Sequence, residues 1–536
     1  MLILAQASSD WPLFLVVALI VSIALLLWDT IEVGRNDAAN LVNAVFGSRV
    51  LTRRAAACVA AVGVVLGASA SRGVIETARK GIFDPGKLAA QAEHADAAEQ
   101  RDMALRRALS VYIAVYVVDT VLLFGYSAFG MPFSTTACLV FELLGAAFAL
   151  GGAEVVNFPT ARKVILAIIL SIVCSGIAAF MIQRAVRGAI RDRTTNLTVL
   201  LAHGGWIGGG MLAALCYFML RRGMKYVPFV QQINETVVAT YGEVVVVLGL
   251  WGLFALLIHV ALVVFGKKAA RLLFPSLAVI GTLAMAFAFG QNDLANCASP
   301  GLSALYLINH RGQDVDVASK IPIEWWALIG CGILMAAGLF TRNAQRVTSA
   351  AIHAGSMAHN VRLWAPGWCL AAARGLLRFR GRQPTLAPAP TTTADGKIMH
   401  YDVLRACVIL AVSASVIATA SGMGMPVSTT YVAFAAVIAT GMADRILQRG
   451  DADLKLARTL WVVFSWFASA LIAAVCAGLV CLAIYHLQIY GIVGALAVNL
   501  AIRRILKKRG DAQEQRVREA ARERLQPERY AEDYEG

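Results

Sequence analysis

Two polar motifs occur twice each, in the same order, and they hold the residues whose types and spacing can do chemistry. Gly34-Arg35-Asn36-Asp37-Ala38-Ala39-Asn40 recurs as Gly290-Gln291-Asn292-Asp293-Leu294-Ala295-Asn296. Ser127-Ala128-Phe129-Gly130-Met131-Pro132-Phe133-Ser134-Thr135-Thr136 recurs as Ser421-Gly422-Met423-Gly424-Met425-Pro426-Val427-Ser428-Thr429-Thr430. Asp37 and Asp293, with Asn36, Asn40, Asn292 and Asn296, supply hard oxygen donors of the kind that hold Na⁺ or a proton. A helix break at Gly34 or Gly290 would add free carbonyls as ligands. In the second motif the Met-Pro step interrupts a helix, because proline lacks an N–H and restrains the residue before it. Proline, serine and threonine are welcome in a first helical turn, so each motif reads as the start of a short helix after a turn at the glycine. Such an N-terminus offers backbone N–H groups, the positive end of the helix dipole and the hydroxyls of Ser134, Thr135 and Thr136, or of Ser428, Thr429 and Thr430. That is a receptor for a tetrahedral oxyanion. The bland alternatives, buried caps and helix-packing contacts, suit one copy of each motif better than two.

The elements that must position these groups are membrane helices. Of 536 residues, 59% are hydrophobic and 15% charged, and the mean hydropathy is +0.67. A soluble chain of this length needs more polar cover. Crossing a bilayer takes roughly 20 apolar residues. The clearest runs are Trp11–Trp28, Ala55–Ala70, Leu109–Phe129, Val164–Ile182, Val244–Phe265, Leu272–Phe289, Trp325–Phe340, Ala406–Ala420 and Leu460–Ile484, with shorter ones at Leu197–Leu220 and Ile489–Ile502. The fold class expected is therefore an all-α polytopic membrane protein. Polar motifs in such a setting are costly unless they bind something, and their duplication suggests a transporter with an internal repeat.

The formal net charge of +15 is distributed as short clusters between apolar runs, such as Arg53-Arg54, Arg106-Arg107 and Lys507-Lys508-Arg509. This is the pattern of cytoplasmic anchoring, not of a nucleic-acid groove. It places the N-terminus outside and the tail inside, with an odd number of crossings. The first apolar run lacks a basic leader and reads as a retained helix. The ten cysteines are scattered, without C-x-x-C, and read as packing residues. The organisation expected is a first repeat over 1–185, a connecting segment over 186–271, and the first part of a second repeat over 272–340. An inserted loop at 341–400 includes a flexible linker over Pro384–Thr393, then come the rest of the repeat over 401–506 and a charged cytoplasmic tail over 507–536.

With these motifs the chain resembles the inorganic phosphate transporter (Pit-type) family, whose signatures G-x-N-D-V-A-N and P-V-S-T-T-H each occur twice. Glu76-Thr77-Ala78-Arg79-Lys80-Gly81-Ile82 resembles the family's E-T-I-R-K-G-I. Phe287-Ala288 before Gly290 and Pro300 after Asn296 also match. The resemblance implies an inverted-repeat secondary transporter with re-entrant helical hairpins, working as a homodimer in lipid. Its expected activity is import of inorganic phosphate by Na⁺ or H⁺ symport with alternating access, with Asp37 and Asp293 binding the metal ion if Na⁺ is coupled. The expected place is the plasma membrane, the inner membrane of a bacterium. Departures bear on the coupling ion: the histidine after S-T-T is Ala137 or Tyr431, the histidine before Gly290 is Phe289, a glutamate after the first motif is Val64, and the hairpin glycine is Phe141, followed by Glu142. The alternatives are a permease for sulfate or another oxyanion, and a passive anion channel or non-transporting sensor. With no H-E-x-x-H, no G-x-S-x-G and no metal-type Cys/His spacing, no enzyme and no cofactor are expected.

Overall fold

The apolar runs are shorter than the helices they seed. In the computed structural model, which describes residues 13–71, 75, 97–224, 228–310, 324–357, 361–379, 399–448 and 451–524, the first run continues as one helix, α1 (Leu13–Gly47), straight through the Gly34–Asn40 motif. The motif's polar side chains find partners inside the protein, on residues distant in sequence, so the backbone has no need to unwind toward water. Then follow α2 (Arg53–Ser69), α3 (Ala97–Ala128), the short α4 (Thr135–Gly151), α5 (Phe158–Ile190) and α6 (Leu197–Tyr217). After a short π-helical and helical stretch come α7 (Glu243–Phe265) and α8 (Lys267–Asn309), which carries the second N-D motif. The remainder is α9 (Trp325–Gly338), α10 (Arg342–Gly355), α11 (Gly367–Phe379), α12 (Val403–Gly422), the short α13 (Thr429–Ala443), α14 (Ala452–Leu487) and α15 (Ile489–Arg524).

Among the described residues, nine helices are long and apolar enough to cross a membrane, or ten if α9 and α10, bent by 68°, count as one span. The protein is thus an all-α, multi-pass membrane protein. The connecting segment over 186–271, expected to carry additional helices, is largely helical: α5 runs on to Ile190, and α6 and α7 pack against each other. Much of the expected 341–400 insertion is also structured, since α10 packs on α1 and α11 on α14. The charged tail is a helical extension of α15 as far as Arg524. The Glu76–Ile82 motif and the Pro384–Thr393 stretch lie outside the described residues.

The two halves interleave. α1 packs on α9 and α10, and α8 packs on α2 and α12. The short α4, from the first half, lies along α14 of the second, while the short α13 lies along α5 of the first. The helices run unbroken through Gly34 and Gly290, and those glycines have another task. A Cβ on Gly34 would collide with the carbonyl of Met335 on α9, and one on Gly290 with the carbonyl of Val64 on α2. Each N-D motif therefore sits where two helix backbones touch, an approach only glycine permits.

Candidate anion and cation site

The short helices begin as the Met-Pro-x-Ser-Thr-Thr pattern requires. Gly130 and Gly424 take positive φ (61° and 71°) and turn the chain. Ser134 and Ser428 then cap α4 and α13, their hydroxyl oxygens accepting the N–H of Ala137 and Tyr431 at 3.1 Å. Helix geometry leaves the first-turn N–H groups of Thr135, Thr136, Thr429 and Thr430 without intrahelical partners.

All twelve residues singled out in the sequence are buried, the most accessible being Asn40 at 6%. The structure brings them together crosswise. Asn40 Nδ2 donates to Asp37 Oδ1 at 2.6 Å, and Asn296 Nδ2 to Asp293 Oδ1 at 2.6 Å. Thr430, from the second half, donates its hydroxyl to Asp37 in the first. Thr135 and Thr136, from the first half, donate to Asp293 in the second at 3.0 and 3.4 Å. The Phe133 carbonyl accepts Asn36 Nδ2 at 2.7 Å and Thr430 Oγ1 at 2.9 Å. The Val427 carbonyl accepts Asn292 Nδ2 at 2.6 Å and Thr136 Oγ1 at 2.9 Å. Exchanging the two halves maps these bonds onto one another except that of Thr135 to Asp293, whose counterpart Thr429 makes no well-formed bond to Asp37.

The candidate anion donors and the candidate cation ligands thus form one network. Asn36 and Asn292 also reach the Met-Pro motifs, although Asn292 Nδ2 still donates to Asp293 Oδ1 at 3.3 Å. Each amide N–H reaches a motif carbonyl, and each amide oxygen accepts the hydroxyl of Ser127 (3.3 Å) or Ser421 (3.2 Å). They pin the turn of one motif to the helix of the other. Ser127 and Ser421 were visible in the motif, but nothing in the sequence says which atom they hold. Oxygens left for a ligand are Asp37 Oδ2, Asp293 Oδ2 and Asn296 Oδ1, none with a well-formed hydrogen bond. Thr429 lies against Asp293. Orphaned oxygens are rare in buried surroundings and suit a cation.

Pro300 frees a carbonyl, as a break at the glycines would have. Inside α8 it cannot donate to the carbonyl of Asn296, four residues back. At the next rung the Tyr116 hydroxyl inserts itself, accepting from Gly301 N at 2.7 Å and donating to Cys297 O at 2.5 Å. Tyr116→Phe is expected to leave both backbone groups unpaired and to destabilise the fold by about 1–3 kcal/mol. A thermal melt in detergent checks this, and an unchanged midpoint would show that the bridge is dispensable.

Membrane helices joined by short embedded pieces, with a duplicated buried polar constellation at their junction, have the architecture of a polytopic membrane transporter. The sequence matches the description "Phosphate transporter family" over residues 33–350 and 391–477, and the chain belongs to that family. A Pyrococcus horikoshii protein described as "Putative phosphate permease PH0640" is 25% identical over 456 residues, covering 84% of this chain and 93% of its own. A Haemophilus influenzae relative of like description is 22% identical over 445 residues, covering 82% and 89%. Among solved structures, "The sodium-dependent phosphate transporter" superposes with a TM-score of 0.62 at 18% identity, covering 87% of this chain and 98% of that one, and so shares its fold.

Proposed function

We propose that the protein imports inorganic phosphate by cation symport, holding the anion between the N-termini of α4 and α13 and the cation at Asp37 and Asp293. The observation that carries this reading is the crosswise bonding of hydroxyls to carboxylates. A cation at Asp37 Oδ2 or Asp293 Oδ2 competes with Thr430, Thr135 and Thr136 for the carboxylate charge. The released hydroxyls then become donors to an oxyanion. Binding of one ion favours the other, which is the thermodynamic core of symport. Selectivity for phosphate over sulfate follows from the same atoms: a protonated phosphate donates a hydrogen bond to a carboxylate, and sulfate cannot.

The crosswise bonds suit repeats related by a two-fold axis in the membrane plane, and the buried site implies that rocking of one repeat against the other exposes it to each side in turn. Na⁺ is the first ion to test, given the sodium dependence named for the structural neighbour; the proton is the second. The outer face of α7, with Val244, Leu248 and Leu256 exposed, suits lipid or a second copy in a homodimer. A cavity of about 360 Å³ lined by Arg49, Arg53, Arg342, Arg346, Arg362 and Arg518 lies beside α10 and suits a vestibule on the cytoplasmic face of a bacterial inner membrane. Neutralising Arg49 and Arg53 is expected to slow anion exchange at low salt, with the difference shrinking as ionic strength rises; equal slowing at all salt concentrations would remove the steering role.

The deciding experiment is uptake of labelled phosphate into proteoliposomes, driven in turn by Na⁺ and proton gradients, with sulfate as competitor. Accumulation above equilibrium is expected with one of the gradients. Uptake that only equilibrates would indicate a channel, and full competition by sulfate a general oxyanion permease.

A further inference from the structure

The site described above is doubled; a second group of buried polar side chains is not. Asp29 on α1, Asp119 on α3, and Cys138 and Glu142 on α4 are all at most 1% exposed. Ligand atoms of Asp119, Cys138 and Glu142 lie within 4.8 Å of one another. Cys138 Sγ donates to Glu142 Oε1 at 2.9 Å, and Asp119 lies against both Cys138 and Asp29. Asp29 Oδ1 and Oδ2, Asp119 Oδ1 and Glu142 Oε2 have no well-formed hydrogen bond. Measured from the motifs, the matching positions of the second half are Met285, Ser413, Val432 and Ala436. An acidic cluster has therefore been added to one half of an otherwise symmetric molecule.

Its surroundings supply little compensating charge. On α1 it faces Glu32 and, further along, Asp37; on α3 it faces Tyr116 and Tyr126. The neighbouring helices add Cys297, Tyr431 and Cys476, which are neutral as thiols and a phenol. Arg503 on α15 is the basic group whose charge reaches Asp29, and it is ion-paired with Glu32. Glu32 also pairs with Arg35 at 2.8 Å. Carboxylates in contact in a medium of low dielectric cannot all stay ionised without a cation among them.

We propose that Asp29, Asp119 and Glu142 form a proton-binding site, separate from the cation site at Asp37 and Asp293, whose loading strengthens oxyanion binding at the start of α4. The inference rests on the phosphate-symport reading for its second half only. Cys138 and Glu142 lie about one and two helical turns along α4 from Ser134–Thr136, and Asp29 lies about two turns before Asp37 on α1. Negative charge there opposes an anion at the head of α4. One proton from water, taken up by a carboxylate, removes that opposition; the linkage is reciprocal, so a bound oxyanion raises proton occupancy.

The test uses the full chain in lipid nanodiscs at constant Na⁺. Infrared spectra in light and heavy water are expected to show a protonated-carboxyl band at neutral pH that is lost or displaced in Glu142→Gln and in Asp119→Asn. Phosphate affinity is then measured across pH. The titration of phosphate itself is common to all proteins, so the excess pH dependence of wild type over Glu142→Gln reads the cluster, and about 5-fold or more is expected. If Glu142→Gln fails to fold, Asp119→Asn, isosteric with the native side chain, carries both measurements. A carboxyl band unchanged in every variant overturns the proposal. So does a metal ion that co-purifies in stoichiometric amount and is lost with Glu142→Gln. Absence of phosphate binding by wild type, with the band behaving as expected, would instead refute the phosphate reading and leave the proton site standing.

Discussion

Asp37→Asn and Asp293→Asn are each expected to abolish concentrative phosphate uptake while the protein still folds. The asparagine oxygen can keep the bonds now made by Asn40 and Thr430, or by Asn296, Thr135 and Thr136, so the network retains its shape. What disappears is the charge that attracts the cation. Losing one partner of a buried ionic interaction costs about 3–5 kcal/mol, or about 150- to 5,000-fold in cation affinity. The informative measurement is therefore cation-dependence, not uptake alone. Phosphate binding in each variant should lose its response to Na⁺ or, where the proton is the coupling ion, the pH dependence that remains in Glu142→Gln, while melting temperature moves little. Uptake that stays coupled in both variants would remove the aspartates from the cation role. Thr430→Val provides an orthogonal check. It deletes the hydroxyl between Asp37 and the Phe133 carbonyl and is expected to weaken oxyanion binding by about 10-fold, the worth of a hydrogen bond to a charged group.

Gly290→Ala is expected to be the most damaging structural change, with Gly34→Ala beside it. A methyl group at Gly290 would meet the Val64 carbonyl and then Ala68 N at 3.0 Å. Neither neighbour can turn away as a flexible side chain would, because both are backbone atoms within a helix. Relief requires α8 and α2 to separate, which also pulls Asn292 from the Val427 carbonyl. Overpacking of this kind costs about 1–3 kcal/mol or more, enough to unfold a marginally stable protein. Gly249→Ala on α7, where a Cβ meets nothing within 4 Å, is the control and should melt like wild type. Equal melting of Gly290→Ala and Gly249→Ala would show that the helix contact is not tight. Gly290→Ala that folds yet fails to transport would place the glycine in motion instead of packing.

Much of the site was readable without coordinates because it rests on local rules. Met131-Pro132 and Met425-Pro426 must interrupt a helix, and Ser134 and Ser428 must cap one, whatever surrounds them. Duplication turned two weak motifs into a strong pair, and apolar run length marked most of the spans. Other parts were settled by non-local contacts. Gly34 and Gly290 could have been breaks because glycine is a poor helix former. The chain uses them to let α1 and α8 touch their neighbours, and nothing near them in the sequence names Met335 or Val64. Asn36 and Asn292 stood with Asn40 and Asn296 among the candidate cation ligands, and the structure adds that their amide N–H groups hold motif carbonyls. The stretch over 341–400 looked like an inserted loop, yet α10 and α11 pack on α1 and α14.

By itself, then, the sequence determined the class of protein, the candidate residues for its site and the chemistry each side chain can offer. These follow from composition, periodicity and the intrinsic behaviour of proline, serine, threonine and aspartate. Only the tertiary structure decided which hydroxyl meets which carboxylate, because Thr430 and Asp37 are joined by packing across 393 positions of chain, a separation that no local rule spans. It also decided that Asp29, Asp119 and Glu142, scattered over three helices, share one buried place. Burial there removes water as the default partner, and so makes each remaining oxygen count.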